Sequence, residues 1–182
     1  MTQNSNRTQH FVLTALGRDR PGIVGRLAKA IHEVGCNILD SRMTVLGGEF
    51  AMMLLVSGQW HAVAKLESSL GRLRKELELE IHFKPTQKRA SNSGAMPFAV
   101  EVVALDHPGI VYQLADFFSR RHVNIEDLNT ESYAAAHTGT QMFSVNMIIS
   151  LPPETPLAEL REQFCALCDD LNVDAVMEPL KR

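Results

Sequence analysis

The chain has 182 residues, 45% of them hydrophobic and 21% charged, with a formal net charge of −3 and an isoelectric point of about 6.2. That composition is ordinary for a globular protein and lacks the electropositive footprint of direct phosphate binding, so any role in transcription is expected to be indirect. The longest apolar run, Phe50 to Val56, is far too short to cross a bilayer.

Met1 to Gln9 is polar and has no apolar core of the kind that directs export, so residues 1–9 are expected to be a disordered tail and the protein cytoplasmic. Three cysteines, Cys36, Cys165 and Cys168, without an export signal predict free thiols. His10 to Leu16 is β-prone and stops at Gly17-Arg18-Asp19-Arg20-Pro21-Gly22, a turn sequence. Ile23, Val24, Leu27, Ala28, Ile31 and Val34 then fall on one helical stripe that Gly35 ends. Asn37 to Val45 and Phe50 to Val56 flank Gly47-Gly48, a hairpin signal. Val63, Leu66, Leu70, Leu73 and Leu77 predict a second amphipathic helix, and Leu79 to Lys84 a last strand, completing a domain over residues 10–85. The basic cluster Arg72, Arg74 and Lys75 reads as the solvated face of that helix.

Pro85 to Pro97 is polar, small and proline-flanked, and residues 86–97 are expected to be a linker. The second domain, residues 98–182, repeats the order. Strands are expected at Phe98 to Leu105, Asn124 to Tyr133, Gln141 to Leu151 and Val173 to Pro179, with helices from Pro108 to about Arg121 and from Pro156 to about Leu171. The repeat is explicit in the residues. Asp19, Pro21, Gly22, Ile23, Val24, Asn37, Ile38 and Asp40 return 87 positions later as Asp106, Pro108, Gly109, Ile110, Val111, Asn124, Ile125 and Asp127. The Val63 ladder returns 94 positions later as Leu157, Leu160, Phe164, Leu167 and Leu171. The difference of about seven residues falls mostly in the Tyr133 to Thr140 segment, a loop insertion on a shared frame.

The predicted fold class is α+β: two ferredoxin-like βαββαβ domains in tandem, each an antiparallel four-stranded sheet with both helices on one face. The bare faces and edges would be covered by pairing through edges or helices, within the chain or in a homo-oligomer.

A strand, then Asp-x-Pro-Gly-Ile-Val opening a helix, then Asn-Ile before an acidic residue, twice over, resembles the tandem ACT-domain proteins. With Leu16-Gly17, Gly35-Cys36-Asn37-Ile38-Leu39-Asp40-Ser41-Arg42 and Leu46-Gly47-Gly48-Glu49-Phe50, the first copy is similar to the glycine cleavage system transcriptional repressor family. That resemblance implies a cytoplasmic regulator without a DNA-binding segment, and since the sequence has no nucleophile elbow, phosphate loop or nucleotide-binding glycine fingerprint, no catalytic residue, metal or cofactor is expected. The resemblance implies a small amino acid as ligand, with glycine as the proposed signal, and action through a DNA-binding activator. A regulatory subunit of an amino-acid or folate enzyme is the alternative.

The resemblance also points to a ligand site at the strand-to-helix turn and the start of the second strand, at a domain interface. In the first copy this is Asp19, Arg20, Pro21, Gly22, Ile23, Val24, Asn37 and Ile38; in the second it is Asp106, His107, Pro108, Gly109, Ile110, Val111, Asn124 and Ile125. Free N–H groups at a helix start favour a carboxylate, and Asp or Asn accepts from an ammonium. A purely structural alternative stands beside it, in which Asp caps the helix and Gly makes the turn. Cys165-x-x-Cys168 lies inside a helical ladder without a second pair and reads as two small buried or half-buried residues, not a metal site. His32 and His122 follow apolar stripes as surface or boundary residues, Met52 to Leu55 reads as a buried strand, and one ring of Phe117-Phe118 is expected in the core with the other at an interface.

Overall fold

The order of elements follows from where hydrophobic periodicity switches between two and 3.6 residues. In the computed structural model, which describes residues 8–87 and 94–180, the chain divides near residue 90 into two compact units. Most of the expected tail, the centre of the expected linker and the last two residues lie outside the described residues, whereas Gln9, Thr86, Met96 and Pro97 are strand residues.

The first unit runs β1 (Gln9–Arg18), α1 (Ile23–Glu33), β2 (Asn37–Leu46), β3 (Glu49–Gly58), α2 (Trp60–Leu77) and β4 (Glu80–Thr86). Its sheet has the order β2-β3-β1-β4 with every neighbouring pair antiparallel. Leu13 and Ala15 of β1, Leu54 and Val56 of β3 and Ile81 of β4 meet Ile23, Leu27 and Ile31 of α1 and the Val63, Leu66, Leu70, Leu73 ladder of α2 in one core. β1 runs two residues past the expected Leu16: Gly17 and Arg18 pair with Phe50 and Glu49. Gly17 allows this because a Cβ there would lie 2.7 Å from Leu79 Cδ2 and 3.0 Å from the Glu78 carbonyl. Gly47 and Gly48 (φ 59° and 88°) make the tight hairpin turn that needs two left-handed residues. Pro85 is accommodated because β4 is an edge strand.

The second unit repeats the plan with β5 (Met96–Leu105), α3 (Ile110–Arg120), β6 (Asn124–Ala134), β7 (Gln141–Leu151), α4 (Leu157–Leu171) and β8 (Asp174–Pro179), in sheet order β6-β7-β5-β8. The Phe117-Phe118 expectation is corrected: both rings are buried, at 6% and 0% exposure. Neighbours on a helix point about 100° apart, so both are covered only because the sheet lies on one side and Phe164 of α4 on the other, its centroid 5.6 Å from each. Met52 to Leu55 alternates instead of being uniformly buried, with Leu54 inside and Met53 exposed. Cys165 is exposed and Cys168 buried.

In both units the second strand is an edge strand and, apart from Ile38 and Ile125, every residue of β2 and β6 is exposed. The pairing register slips by one residue between Ile38 and Asp40 and again between Ile125 and Asp127, a bulge conserved between the copies.

Leu66 is fully buried at the centre of the first core. Leu66→Ala is expected to destabilise the protein by about 2–5 kcal/mol, through lost transfer energy and a cavity, in chemical denaturation monitored by circular dichroism.

Candidate functional site

In the first unit the turn after β1 is fastened to the hairpin: the Asp19 N–H donates to the Gly48 carbonyl at 3.0 Å. Gly22, at φ 95° and ψ −12°, is the residue from which α1 starts, and no side chain caps that helix. The capping alternative therefore fails for Asp19, while the turn-making role of Gly22 holds, since a Cβ is strained at that φ. A Cβ at Gly22 or at Gly25 in the first turn would meet nothing within 4 Å, so the backbone there is open to approach. Among the described residues no hydrogen bond or ion pair engages the Asp19 carboxylate. Ile23 is core at 2% exposure, whereas Val24 is exposed.

Arg20 turns away from this helix start. Its Nη2 donates to the Glu76 carbonyl at 3.1 Å and its Nη1 lies 3.8 Å from Glu78 Oε2, at the C-terminal end of α2 where the helix dipole is negative. Arg26 grips Glu76 with two bonds, Nε to Oε1 at 2.5 Å and Nη2 to Oε2 at 2.9 Å. This fork holds the Glu76 carboxyl below its ordinary range and raises Arg26. Arg74, expected as a solvated residue, donates from Nε to the Ile81 carbonyl at 2.8 Å and ties α2 to β4.

The second unit builds the same corner with other side chains. Gly109, at φ 101°, starts α3 without a side-chain cap. The Asp106 N–H donates to the Gln141 carbonyl at 3.1 Å, and the Asp106 carboxylate accepts from Ser132 Oγ at 3.0 Å. His107 is exposed, with Nδ1 3.3 Å from the Pro108 carbonyl. Ile110 is core, and Val111 packs against it half-buried.

Asn37, Ile38, Asn124 and Ile125 are not beside these corners. Asn37 pairs with Ser57 near the C-terminal end of β3, whereas the Asp19 turn lies by Glu49 at its start. Eight residues of strand separate the two ends, roughly 25 Å. The second unit has the same separation, with Asn124 paired to Ser150 and Asp106 bonded at Gln141. The reason is topological: α1 and α3 run back along the sheet, so the second strand starts at the helix C-terminus. Ile38 and Ile125 pack against the cores, and Asn124 Nδ2 donates to Glu126 Oε1 at 2.8 Å. A depression of about 490 Å³ opens beside Asn124 and Ile125, lined also by Ser119 and His122.

No group of three or more His, Cys, Asp or Glu among the described residues is placed to hold a metal. Burial pushes the Cys168 thiol up to about 11, with Cys165 and Asp169 adding to the shift. Among the described residues no helix is long and apolar enough to cross a membrane.

Comparison with known proteins decides the family. The ACT domain model matches residues 9–84. The glycine cleavage system transcriptional repressor of Escherichia coli (strain K12) is 34% identical over 166 residues, covering 91% of this chain and 87% of that protein. The chain belongs to this repressor family. A solved structure named for the glycine cleavage system transcriptional repressor aligns over 96% of this chain and 99% of its own, with TM-score 0.73 and 29% identity. An uncharacterised protein from Galdieria sulphuraria aligns over 96% of this chain and all of its own, with TM-score 0.83 and 26% identity. The family places the protein among regulators, not enzymes.

Within this repressor frame, three corner residues carry information that the motifs alone did not. Gly25 and its counterpart Tyr112 differ most, one leaving the helix start bare and the other 70% exposed on it. Ser132, bonded to Asp106, has Val45 at the equivalent place in the first copy. Reading the 87-residue repeat for differences as well as identities would have found all three.

Because the carboxyl of Glu76 is lowered by Arg26, its contribution to stability is full above the ordinary value of 4.5 and is lost as pH falls through the lower folded value. Thermal stability is expected to drop between about pH 5 and about pH 3, and Arg26→Ala is expected to make the drop shallower. The measurement is melting temperature against pH for both proteins.

Proposed function

We propose that the chain is an amino-acid-responsive repressor of glycine cleavage system transcription, acting in the cytoplasm on a DNA-binding activator protein and not on DNA itself. The observation that carries the sensing part is the pair of uncapped helix starts at Gly22 and Gly109, each beside an aspartate. The N–H groups of such a first turn accept a carboxylate, and Asp19 or Asp106 accepts from the ammonium of the same small molecule. An α-amino acid supplies both charges at the required short separation. The bare corner at Gly25 favours a ligand bound chiefly by its backbone groups, and glycine is the smallest of these.

Pro21 and Pro108 hold the turns, and Val24 and Val111 would border the ligand. Ile23 and Ile110 would act from the core by fixing the helices. Arg20, anchored to α2, would shape the corner without touching the ligand. Asn37, Ile38, Asn124 and Ile125 would join such a site only if a second surface, supplied from outside that unit's own corner, faced it. A ligand bridging two surfaces favours the state in which they meet, which is the differential binding that regulation requires. The absence of a net positive charge supports action through a protein.

The test is thermal unfolding of the purified protein with each of the twenty amino acids at millimolar concentration. At 100 times its dissociation constant a ligand adds about 2.7 kcal/mol, a shift of several degrees. The expected result is a selective shift with glycine that Asp19→Asn or Asp106→Asn abolishes, identifying the working copy. No shift with any amino acid overturns the sensing role, and a shift unaffected by either variant overturns the site. Repression is read separately, from a glycine cleavage promoter reporter in cells carrying or lacking the chain.

A further inference from the structure

The two units share a fold and differ sharply in charge. Residues 1–90 hold thirteen Lys and Arg against eight Asp and Glu, whereas residues 91–182 hold five Lys and Arg against thirteen Asp and Glu, net charges of +5 and −8. Part of the excess is concentrated on one surface. Phe98, Val100, Val102 and Ala104 of β5 face α3 and α4, so their alternates face the other way. On that outer face the registers place Asp174, Val103, Ser144 and Glu131 in one row across the sheet, Val176, Glu101, Asn146 and Asn129 in the next, and Glu178, Ala99, Ile148 and Asp127 in a third. Five carboxylates stand among apolar residues, and no cation shares those rows. All five are exposed, and so are Val176 at 52% and Leu105, in the adjoining row, at 53%.

The equivalent face of the first unit is mixed. Its rows pair Lys84, Val12, Leu55 and Asp40, then His82, Thr14, Met53 and Arg42, then Glu80, Leu16, Ala51 and Thr44. The shared frame therefore does not require a single sign. Glu101 has Asp174 and Glu178 as diagonal neighbours on β8, no cation stands in their rows, and Asp127 accepts from Asn129 Nδ2 at 2.8 Å. Solubility alone does not explain the exposed valines and leucine in the same patch. A face of one charge sign steers and orients a partner of the opposite sign, and the exposed apolar residues beside it supply contact area. The carboxylates are spread over three strands and converge on no metal position among the described residues.

We propose that this outer face of the second unit, centred on Glu101 and Val103, is the docking surface for a partner protein that presents lysine and arginine side chains around an apolar patch. Three strand rows across four strands span roughly 15 Å by 15–20 Å. That is well under the ~800 Å² that each side of a standard interface buries, which suits a reversible regulatory contact. The proposal deepens the regulatory reading above, since it names the surface and chemistry by which such a regulator would hold its partner.

The test uses three full-length proteins: the wild type, a sheet-face variant with Glu101→Lys, Asp174→Lys and Glu178→Lys, and a helix-face control with Glu159→Lys, Glu162→Lys and Asp169→Lys, which changes net charge equally. Both variants are expected to melt no lower than a few degrees below wild type, and the neutral set Glu101→Gln, Asp174→Asn and Glu178→Gln serves if the reversed set does not fold. Each protein is immobilised, challenged with lysate of the source cells, and the bound proteins are identified and quantified by mass spectrometry at low and high salt. The expected result is a bound protein of basic isoelectric point that the sheet-face variant retains at least tenfold less, that the helix-face control retains as wild type does, and that high salt releases. Equal loss in both variants, no loss in either, or loss only of acidic proteins overturns the proposal. Loss of self-association by light scattering with no change in bound proteins assigns the face to a second copy and also overturns it. The reporter assay fails independently if the chain regulates something other than glycine cleavage, so failure of that reading and failure of this surface are read apart.

Discussion

Everything in each unit follows from one constraint: both strand-helix-strand crossings in a unit are right-handed, so both helices must lie on the same side of the sheet. The core then forms once, between β1, β3 and β4 and the α1 and α2 ladders in the first unit, and likewise in the second. The same constraint leaves one sheet face without helices and puts the start of α1 and α3 at the sheet end where the hairpin turns. A helix start without a side-chain cap, a bare face and an open edge are thus produced together. They are the places where such a unit can meet another molecule, and the regulatory reading uses the helix start and the bare face without requiring bond-making chemistry.

Most of this architecture was legible in the residues. The 87-residue and 94-residue spacings establish two copies before any strand is assigned, and Gly47-Gly48 announces its hairpin because only glycine accepts two left-handed conformations in succession cheaply. Strand ends were less legible, since Gly17 and Arg18 look like turn residues until the approach of Leu79 is known. The candidate site divided in the same manner. Gly22 and Gly109 were readable from local chemistry. The placement of Asn37 and Asn124 at the far end was not, because it depends on helix length and direction. Nor does a motif disclose that Arg20 is drawn to the end of α2, a contact 56 residues away in the chain. The net charge of −3 concealed two opposite contributions, which only a division into units separates.

The copies illustrate how a common frame tolerates unequal duties. Asp19 stands without a partner among the described residues, whereas Asp106 is held by Ser132. Gly35, left-handed at φ 80°, is replaced in the second copy by His122 at φ 56°, a conformation that a side chain adopts at some cost. Differences of this kind leave the cores intact, because Leu160 and Phe164 stay buried where Leu66 and Leu70 are, and they change only what each corner offers to solvent.

The exposed edge strands have a practical consequence for the protein as a material. An unpaired edge ten or eleven residues long is a template for adding further strands, and proteins usually blunt it with charge. β6 carries Asp127 and Glu131 and repels its own kind, but β2 presents Leu39, Met43, Val45 and Leu46, with its charges confined to Asp40 and Arg42, which bond to each other. Fibril growth or precipitation at high concentration should therefore begin at the amino-terminal half of the chain, and a single lysine on β2 would do more for shelf life than any repacking of either core.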